Sequence, residues 1–217
     1  MADLDPDRIL ALSYVPARVR PALAALWALD AALGAVLAGG REPMLSRIKL
    51  VWWRDALEAL DRAPAPGEPI LQALARDVLP RGVAGAEMAA MEEAWSLLLE
   101  PEPLGPAELE RYAAGRGGRL FALSARLLGA GHPDAERAGR VWALGDLARH
   151  SNAADAGAAL DALHAVSPVA RLPRALRPLG MLAALARRDA EPERPRWEPQ
   201  GSPGRMWRML RHRLTGL

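Results

Sequence analysis

The sequence has no cysteine, one phenylalanine and two tyrosines, and seven tryptophans supply the rest of the aromatic side chains among its 217 residues. Without cysteine, disulfides and thiolate metal sites are excluded. β-Branched residues are scarce beside alanine and leucine, which are strong helix formers, and no stretch alternates as a strand would. These features predict an all-α protein.

From the sequence we expect neither a signal peptide nor a membrane-spanning helix. The acidic start Met1–Asp5 is unlike a signal peptide. We expect no apolar run of the ~18–20 residues that a membrane-spanning helix needs. The expected location is the cytoplasm, and the membrane contact that we expect is peripheral, at the inner face.

Positive charge is concentrated at one end of the chain, although the net charge is only +2. Residues 171–217 hold 11 Arg and 4 acidic residues. A basic end of this kind is typical of contact with an anionic membrane surface or with nucleic acid, and the alternative is a solvated, arginine-rich helix end. Nucleic acid is disfavoured, because aromatic residues do not alternate with the basic ones and the net charge is low.

Proline and glycine divide the chain into segments with helical periodicity. After a short helix capped by Asp7, helices are predicted at 17–38, 43–61, 68–79, 84–99, 106–128, 133–150, 155–165, 173–188 and about 203–214. Several prolines between residues 192 and 203 predict an extended linker. The predicted organisation is a helical bundle over 1–188, a Pro-rich linker over 189–204 and a basic amphipathic helix over 205–217.

Two of the predicted helices have unusual apolar faces. Beyond residue 21, Asp30 is the one charged residue of the helix at 17–38. We expect this helix to be buried on all sides, and Asp30 to be paired with an Arg or a hydroxyl of a neighbouring helix. The helix at 43–61 has apolar stripes on opposite sides, which predicts that it is sandwiched in the core with Trp52 and Trp53.

The run Glu42–Leu60, which reads EPMLSRIKLVWWRDALEAL, resembles the corresponding run of the squalene/phytoene synthase family. Upstream, Asp5–Arg8 and Pro16–Leu23 resemble the opening of that family in the same order. The likeness is strong over 5–61 and moderate over 106–150. It is best to a divergent branch that includes mitochondrial assembly factors of respiratory complex I. The resemblance implies a shortened isoprenoid-synthase-like helical bundle.

Enzymes of that family join two prenyl diphosphates, and the resemblance implies Mg²⁺ held by two Asp-rich motifs. The positions of the first motif hold no acid here: they are Gly34, Ala35 and Ala38. In the second motif Arg149 is retained, but the two metal-binding aspartates align with His150 and Ala154. These replacements predict no catalytic residue, no metal site and no cofactor. Mg²⁺ is expected only if the enzymatic alternative holds.

A pocket between the helices at 17–38, 43–61 and 133–150 is the site that the resemblance implies, and we expect it to be either apolar and lipid-sized or closed by side chains. Its candidate ligand-contacting residues are Asp30, Trp52, Asp55, Asp146, Arg149 and His150. The i, i+4 spacing of Asp146 and His150 suits a metal pair or a plain helix pair, and the sequence offers no third ligand. The run Gly115–Gly118 favours close helix packing over phosphate binding, because no strand precedes it.

The last predicted helix is basic and amphipathic, which suits the interface of an anionic bilayer. The candidate membrane-contact residues are Arg205, Trp207, Arg208, Leu210, Arg211 and Leu214. The same pattern also suits docking on the helical body or on a partner protein.

The sequence therefore predicts a pseudoenzyme, a family member that acts by binding at a membrane surface or to a membrane-protein partner. An isoprenoid lipid is its expected ligand, and assembly of a respiratory complex is the process that the resemblance implies. The alternative is a Mg²⁺-dependent prenyltransferase of squalene or phytoene biosynthesis, acting alone or as a subunit.

Overall fold

The computed structural model describes residues 4–39, 42–100, 103–191 and 197–216, and the regular structure of these parts is helical, without a strand. The α-helices are α1 (Pro6–Ser13), α2 (Arg20–Ala38), α3 (Pro43–Ala59), α4 (Pro69–Asp77), α5 (Gly85–Ala89), α6 (Glu92–Ser96), α7 (Pro106–Tyr112), α8 (Arg119–Leu127), α9 (Pro133–His150), α10 (Ala153–Ala165), α11 (Arg177–Asp189) and α12 (Pro203–Thr215). A π-helical turn, Ala113–Gly118, joins α7 to α8. The all-α prediction is confirmed.

Proline begins many of these helices, because its missing N–H is no loss in the first turn and its fixed φ is already helical. The starting prolines of α3, α4, α7, α9 and α12 are Pro43, Pro69, Pro106, Pro133 and Pro203.

In α1 the N-cap is Asp5, whose side chain accepts a hydrogen bond from the backbone N–H of Arg8 at 2.9 Å. The prediction of Asp7 as the cap is wrong, since Asp7 lies inside the helix.

Helix α2 is largely buried and contacts α1, α3, α4, α6 and α8. Residues Ala22–Leu33 are buried or half-buried on every side, as predicted, while the last turn borders a cavity and solvent. This helix does have the length and composition of a membrane span, which corrects the expectation that no run is long enough. Because 56% of its most apolar window is buried inside the bundle, core packing accounts for that composition.

Helix α3 packs on the bundle through one face only. Leu50, Trp53 and Leu57 are buried, whereas in the second apolar stripe Ile48 and Trp52 are exposed and Ala59 is half-buried. Met44 and Leu45, near the start of the helix, are exposed as well. The prediction that α3 is sandwiched in the core is therefore wrong, and Trp52 is a surface residue with 48% of its area exposed. Apolar periodicity shows which faces can be buried, but the neighbouring helices decide which face is covered.

Two long predicted helices are interrupted in the structure. The segment expected to be one helix at 84–99 forms α5, α6 and a 3-10 turn, Leu97–Leu99. The helix expected at 106–128 is broken by the π-helical turn, whose three glycines favour departure from α geometry. A π turn inserts an extra residue into the helix and changes the direction in which its side chains point.

Helix α9 contacts α8, α10, α11 and the π-helical turn. At the closest approach, a Cβ on Gly117 would lie 2.1 Å from the carbonyl oxygen of Gly139, and a Cβ on Gly139 would lie 1.9 Å from that of Gly117. Two backbones can come this close only where both residues lack a side chain. The prediction that the Gly115–Gly118 run serves close helix packing is confirmed.

Helix α12 docks on α11 and α1. Met209 is fully buried there, and buried Arg205 forms ion pairs with Asp189 and with Asp7, at 2.9 Å from the Asp7 carboxylate. The prediction that Arg205 contacts a membrane is therefore wrong, because its guanidinium holds α12 to the body. Residues 192–196 of the predicted linker lie outside the described residues.

Candidate functional site

A cavity of about 470 Å³ lies between the C-terminal half of α2, the end of α9 and the segment around α6 and α7. We call it the central cavity. Its lining includes the apolar residues Leu37, Leu98 and Leu147. It also includes charged groups on Asp5, Arg8, Asp30, Arg116 and Asp146, which we call the arginine–aspartate cluster. A lining that combines apolar residues with a few fixed polar groups is the usual character of a ligand pocket.

Arg116, in the π-helical turn, is the centre of this cluster and is 2% exposed. Its Nε and Nη2 donate to the two carboxylate oxygens of Asp30 at 2.9 and 3.1 Å. Nη2 also lies 2.7 Å from the carboxylate of Asp146, and Nη1 donates to the Tyr112 hydroxyl at 2.5 Å. The guanidinium carbon is 4.1 Å from the ring centroid of Trp95. Arg116 is thus held by two carboxylates, a phenol and an indole ring.

Asp30 is fully buried, and Arg8 completes its surroundings. Nη1 of Arg8 is 3.1 Å from the second carboxylate oxygen of Asp30, and Nε is 2.9 Å from Asp5. The prediction that Asp30 is buried and paired with arginine is confirmed. Two guanidinium groups and three carboxylates therefore share one buried cluster, so that each charge has an opposite neighbour.

The electrostatics of the cluster keep its central groups ionised. Burial would raise the pKa of Asp146, but Arg116 and Arg8 together hold that pKa below its ordinary value. Burial opposes the charge of Arg116, but Asp30, Tyr112 and Asp146 together outweigh this effect, so that the Arg116 pKa is raised. Burial raises the pKa of Asp5 despite the neighbouring Arg8. The strongest ion pairing is therefore around Arg116.

The residues present do not fit a Mg²⁺–diphosphate site. Position 34 has no room for an acidic side chain, because a Cβ there would lie 2.8 Å from the Trp95 ring. Asp30 and Asp146 are both paired with Arg116. Among the described residues, no three His, Asp or Glu side chains are grouped so that they could hold a metal ion. The side chain of Ala154 lies outside the described residues.

Of the candidate pocket residues, Asp30, Asp146 and His150 line the central cavity. His150 Nδ1 lies 2.9 Å from the backbone oxygen of Asp146 and 3.5 Å from its carboxylate, which is the geometry of a plain helix pair. Trp52 and Asp55 do not line the cavity, and that prediction is wrong, because they lie on the exposed face of α3. Asp55 pairs with Arg54 of the same helix at 3.0 Å.

Arg149 lies outside the central cavity, which corrects its predicted position. Its guanidinium is 2.9 Å from Asp189 and donates to the carbonyl oxygen of Glu198 at 3.0 Å. It also stacks on the Trp197 ring at 5.1 Å. Arg149 therefore ties α9 to α11 and to the chain before α12, and it borders a much smaller cleft beside the central cavity.

Sequence reasoning missed Arg8, Arg116 and Trp95 as residues of the site. Arg8 ends the Asp5–Arg8 run, which indicated family but not a role. Arg116 is the one charged residue of the π-helical turn, and a lone arginine among glycines in a helical segment was the available signal. Trp95 had no distinguishing pattern in the sequence.

A family model for squalene/phytoene synthase matches residues 1–161. The chain therefore belongs to the squalene/phytoene synthase family, and its all-α structure is consistent with the isoprenoid-synthase-like fold of that family. Comparison with curated proteins and with solved structures gave no match. The matched residues include those of the arginine–aspartate cluster.

Proposed function

We propose that this member of the squalene/phytoene synthase family acts by binding at a membrane surface and does not transfer prenyl groups. One observation carries the proposal: the two aspartates that face the central cavity from α2 and α9, Asp30 and Asp146, are both ion-paired with Arg116. A fixed guanidinium lies between these carboxylates, and removing it to admit Mg²⁺ would leave a buried charge without its partners.

Arg116 is also poorly suited to replace the metal in binding a diphosphate. Its Nε, Nη1 and Nη2 all have partners in Asp30, Tyr112 and Asp146. A diphosphate would have to compete with two carboxylates for the same N–H groups, in a cluster whose three carboxylates already outnumber its two guanidinium groups. The cluster therefore supports a structural role for this arginine.

The central cavity is the proposed ligand site. Its volume of about 470 Å³ is in the range typical of small-molecule pockets. We propose an isoprenoid lipid as the ligand, with its chain against Leu37, Leu98 and Leu147 and its polar end towards His150. No cofactor is part of this proposal.

Membrane contact is the second part of the proposal. On docked α12, Trp207 and Leu214 are 71% and 77% exposed, and Arg211 lies exposed between them in sequence. Exposed Trp and Leu beside arginine suit the headgroup region of a bilayer. Leu210 and Arg208 are half-buried and border this face. The proposed location is the cytoplasmic side of the membrane.

We expect no Mg²⁺-dependent condensation when the purified protein is incubated with farnesyl or geranylgeranyl diphosphate. The physical reason is that the carboxylates needed to hold the metal are replaced at Gly34, Ala38 and His150 or engaged by Arg116. Extracted products would be measured by mass spectrometry, with an active synthase of the family as positive control. Product above a no-protein control, abolished by a chelator, would support the prenyltransferase alternative instead.

Assembly of respiratory complex I is the process proposed from the resemblance to assembly-factor members. Deleting the gene in its source organism should reduce the amount of assembled complex, measured as the NADH-oxidising band in native gels. Re-expression of the wild-type gene should restore the band. An unchanged band in the deletion strain would rule out this process while leaving the proposal of non-catalytic binding to be judged by the diphosphate assay.

A further inference from the structure

A second cavity, of about 370 Å³, lies between residues 168–172, α11 and α12, and we call it the C-terminal cavity. Its floor is apolar and includes Leu172, Ala183 and Ala184, whereas Arg171, Arg187 and Arg208 lie at its edges. Among the described residues that line it, none is acidic. All of them come after residue 161, where the family match ends.

Arg187 is fixed at the edge of the cavity by backbone oxygens, and no carboxylate among the described residues pairs with it. Its Nη2 donates to the backbone oxygens of Val166 at 2.8 Å and Ser167 at 3.1 Å. Carbonyl oxygens orient a guanidinium but carry no net charge, so the cation keeps its attraction for an anion. Burial lowers the pKa of Arg187, as expected for a partly desolvated cation.

Further arginines collect beside the cavity. Arg177 donates to the backbone oxygens of Arg213 at 2.9 Å and Leu214 at 2.8 Å, and so caps the end of α12. Its pKa is lowered by burial and then by the cations Arg171, Arg213 and Arg174, which shows that like charges converge here. A surface on which cations converge attracts anions, which reduce the repulsion between them.

The same helix presents apolar groups next to this charge. Trp207 and Leu214 are exposed on α12, and Arg208, which follows Trp207 in the chain, lines the cavity. One end of the molecule therefore combines an arginine-edged cavity with an apolar floor and an exposed Trp–Leu face. A soluble anion would use only the arginines, whereas an anionic phospholipid would use all three features.

We propose that the C-terminal cavity binds the phosphate of an anionic phospholipid, with Arg171 and Arg187 contacting the phosphate and Trp207 and Leu214 inserting beside it. Guanidinium groups suit this ligand because their paired N–H groups match phosphate oxygens. The inference rests on the membrane contact of the proposed function and names the lipid class and the residues that select it.

The test is co-sedimentation of the full-length protein with vesicles of phosphatidylcholine alone or with phosphatidylglycerol added. We expect tighter binding to the anionic vesicles and about a fivefold loss in Arg171→Gln, since one arginine near an anionic surface contributes ~1 kcal/mol. Arg62→Gln is the matched control, because Arg62 is also exposed and follows α3. It should change binding less than twofold. Equal thermal unfolding of the two variants checks that both are folded.

The possible outcomes separate this inference from the proposed function. Equal losses in Arg171→Gln and Arg62→Gln would overturn the cavity assignment and leave membrane contact standing. Equal binding to both vesicle types would overturn lipid selection, with Trp207 and Leu214 as the remaining contact. No binding to any vesicle would overturn both. Binding of inorganic phosphate that is lost in Arg171→Gln, without any effect of this variant on vesicle binding, would assign the cavity to a soluble phosphate and overturn the lipid proposal.

Discussion

Replacing Arg116 with methionine should lower the free energy of unfolding by about 3–5 kcal/mol at neutral pH. Methionine fills much of the same space, but the carboxylates of Asp30 and Asp146 lose the cation that they share. Arg8 alone cannot balance both of these groups and Asp5 as well. Urea denaturation followed by tryptophan fluorescence measures the change.

A variant of an exposed ion pair controls for the loss of an arginine as such. Arg76 lies 2.8 Å from Asp77 and its side chain is largely exposed, so Arg76→Met should cost less than about 1 kcal/mol. If Arg116→Met lowers the free energy of unfolding no more than Arg76→Met does, the result would contradict a cluster of buried charges.

Removing the carboxylate of Asp30 should destabilise the fold less than removing Arg116. Asp30→Ala leaves Arg8 with Asp5 and leaves Arg116 with Asp146. We therefore expect a loss of about 1.5–3 kcal/mol, the range for hydrogen bonds to charged groups, rather than the larger loss of Arg116→Met. A larger loss of unfolding free energy in Arg116→Met than in Asp30→Ala would support Arg116 as the centre of the cluster, and the reverse order would contradict it.

The effect of Arg116→Met should also shrink as the pH falls. In the wild type the pKa of Asp146 is lowered, so this group stabilises the fold at neutral pH, and its contribution is lost as the pH falls through the folded-state pKa. Without Arg116, burial becomes the larger influence and should raise that pKa. Asp146 would then be protonated at a higher pH in the variant, and its protonation would remove the unpaired buried charge. The difference in unfolding free energy between the wild type and Arg116→Met should therefore narrow between pH 7 and about pH 4. A difference that stays constant would mean that the charge of Asp146 is not coupled to Arg116.

The burial and pairing of Asp30 could be predicted because the apolar helix around it left no route to solvent. Its main partner could not be predicted, since Arg116 is 86 residues away in the chain. Arg116 also lies in a π-helical turn, and a helical wheel with constant spacing misplaces side chains beyond such a turn. Sequence periodicity therefore predicted the need for a cation but not which cation.

The two stripes of α3 illustrate a different limit. Both are apolar in sequence, yet only the stripe with Trp53 meets other helices in the structure. Which stripe is covered depends on the arrangement of α2, α5 and α6 around α3, and this arrangement is not encoded in the local pattern. The placement of Trp52 and Asp55 was wrong for this reason.

Helix α12 shows how one pattern can serve two purposes. The basic residues predicted for the membrane divide between two sides, because Arg205 pairs with Asp7 and Asp189 while Arg211 is exposed. The acids that hold Arg205 come from α1 and α11, at opposite ends of the chain. Amphipathicity alone could not separate the docking residues from the exposed ones.

Replacing Gly139 with alanine should destabilise the fold by about 2–3 kcal/mol, even though alanine is the better helix former by ~1 kcal/mol. The new Cβ would meet the carbonyl oxygen of Gly117, which is backbone and cannot rotate away. Helix α9 and the π-helical turn would have to separate. Gly157→Ala is the matched control, because Gly157 is also helical but has nothing within 4 Å of its Cβ position. That variant should be stabilised by about 0.5–1 kcal/mol.

Moving α9 away from the π-helical turn at Gly139 should also disturb the arginine–aspartate cluster. Arg116 adjoins Gly117 on the π-helical turn, and Asp146 lies on α9 two turns beyond Gly139. Moving the two elements apart would lengthen the contact between Arg116 and Asp146. The losses from Gly139→Ala and Arg116→Met should then be less than additive in the double variant, since part of the ion pairing is already lost in either single variant. Full additivity would show that the glycine contact and the cluster are independent. A Gly139→Ala protein that gains as much stability as Gly157→Ala would contradict the close backbone contact itself.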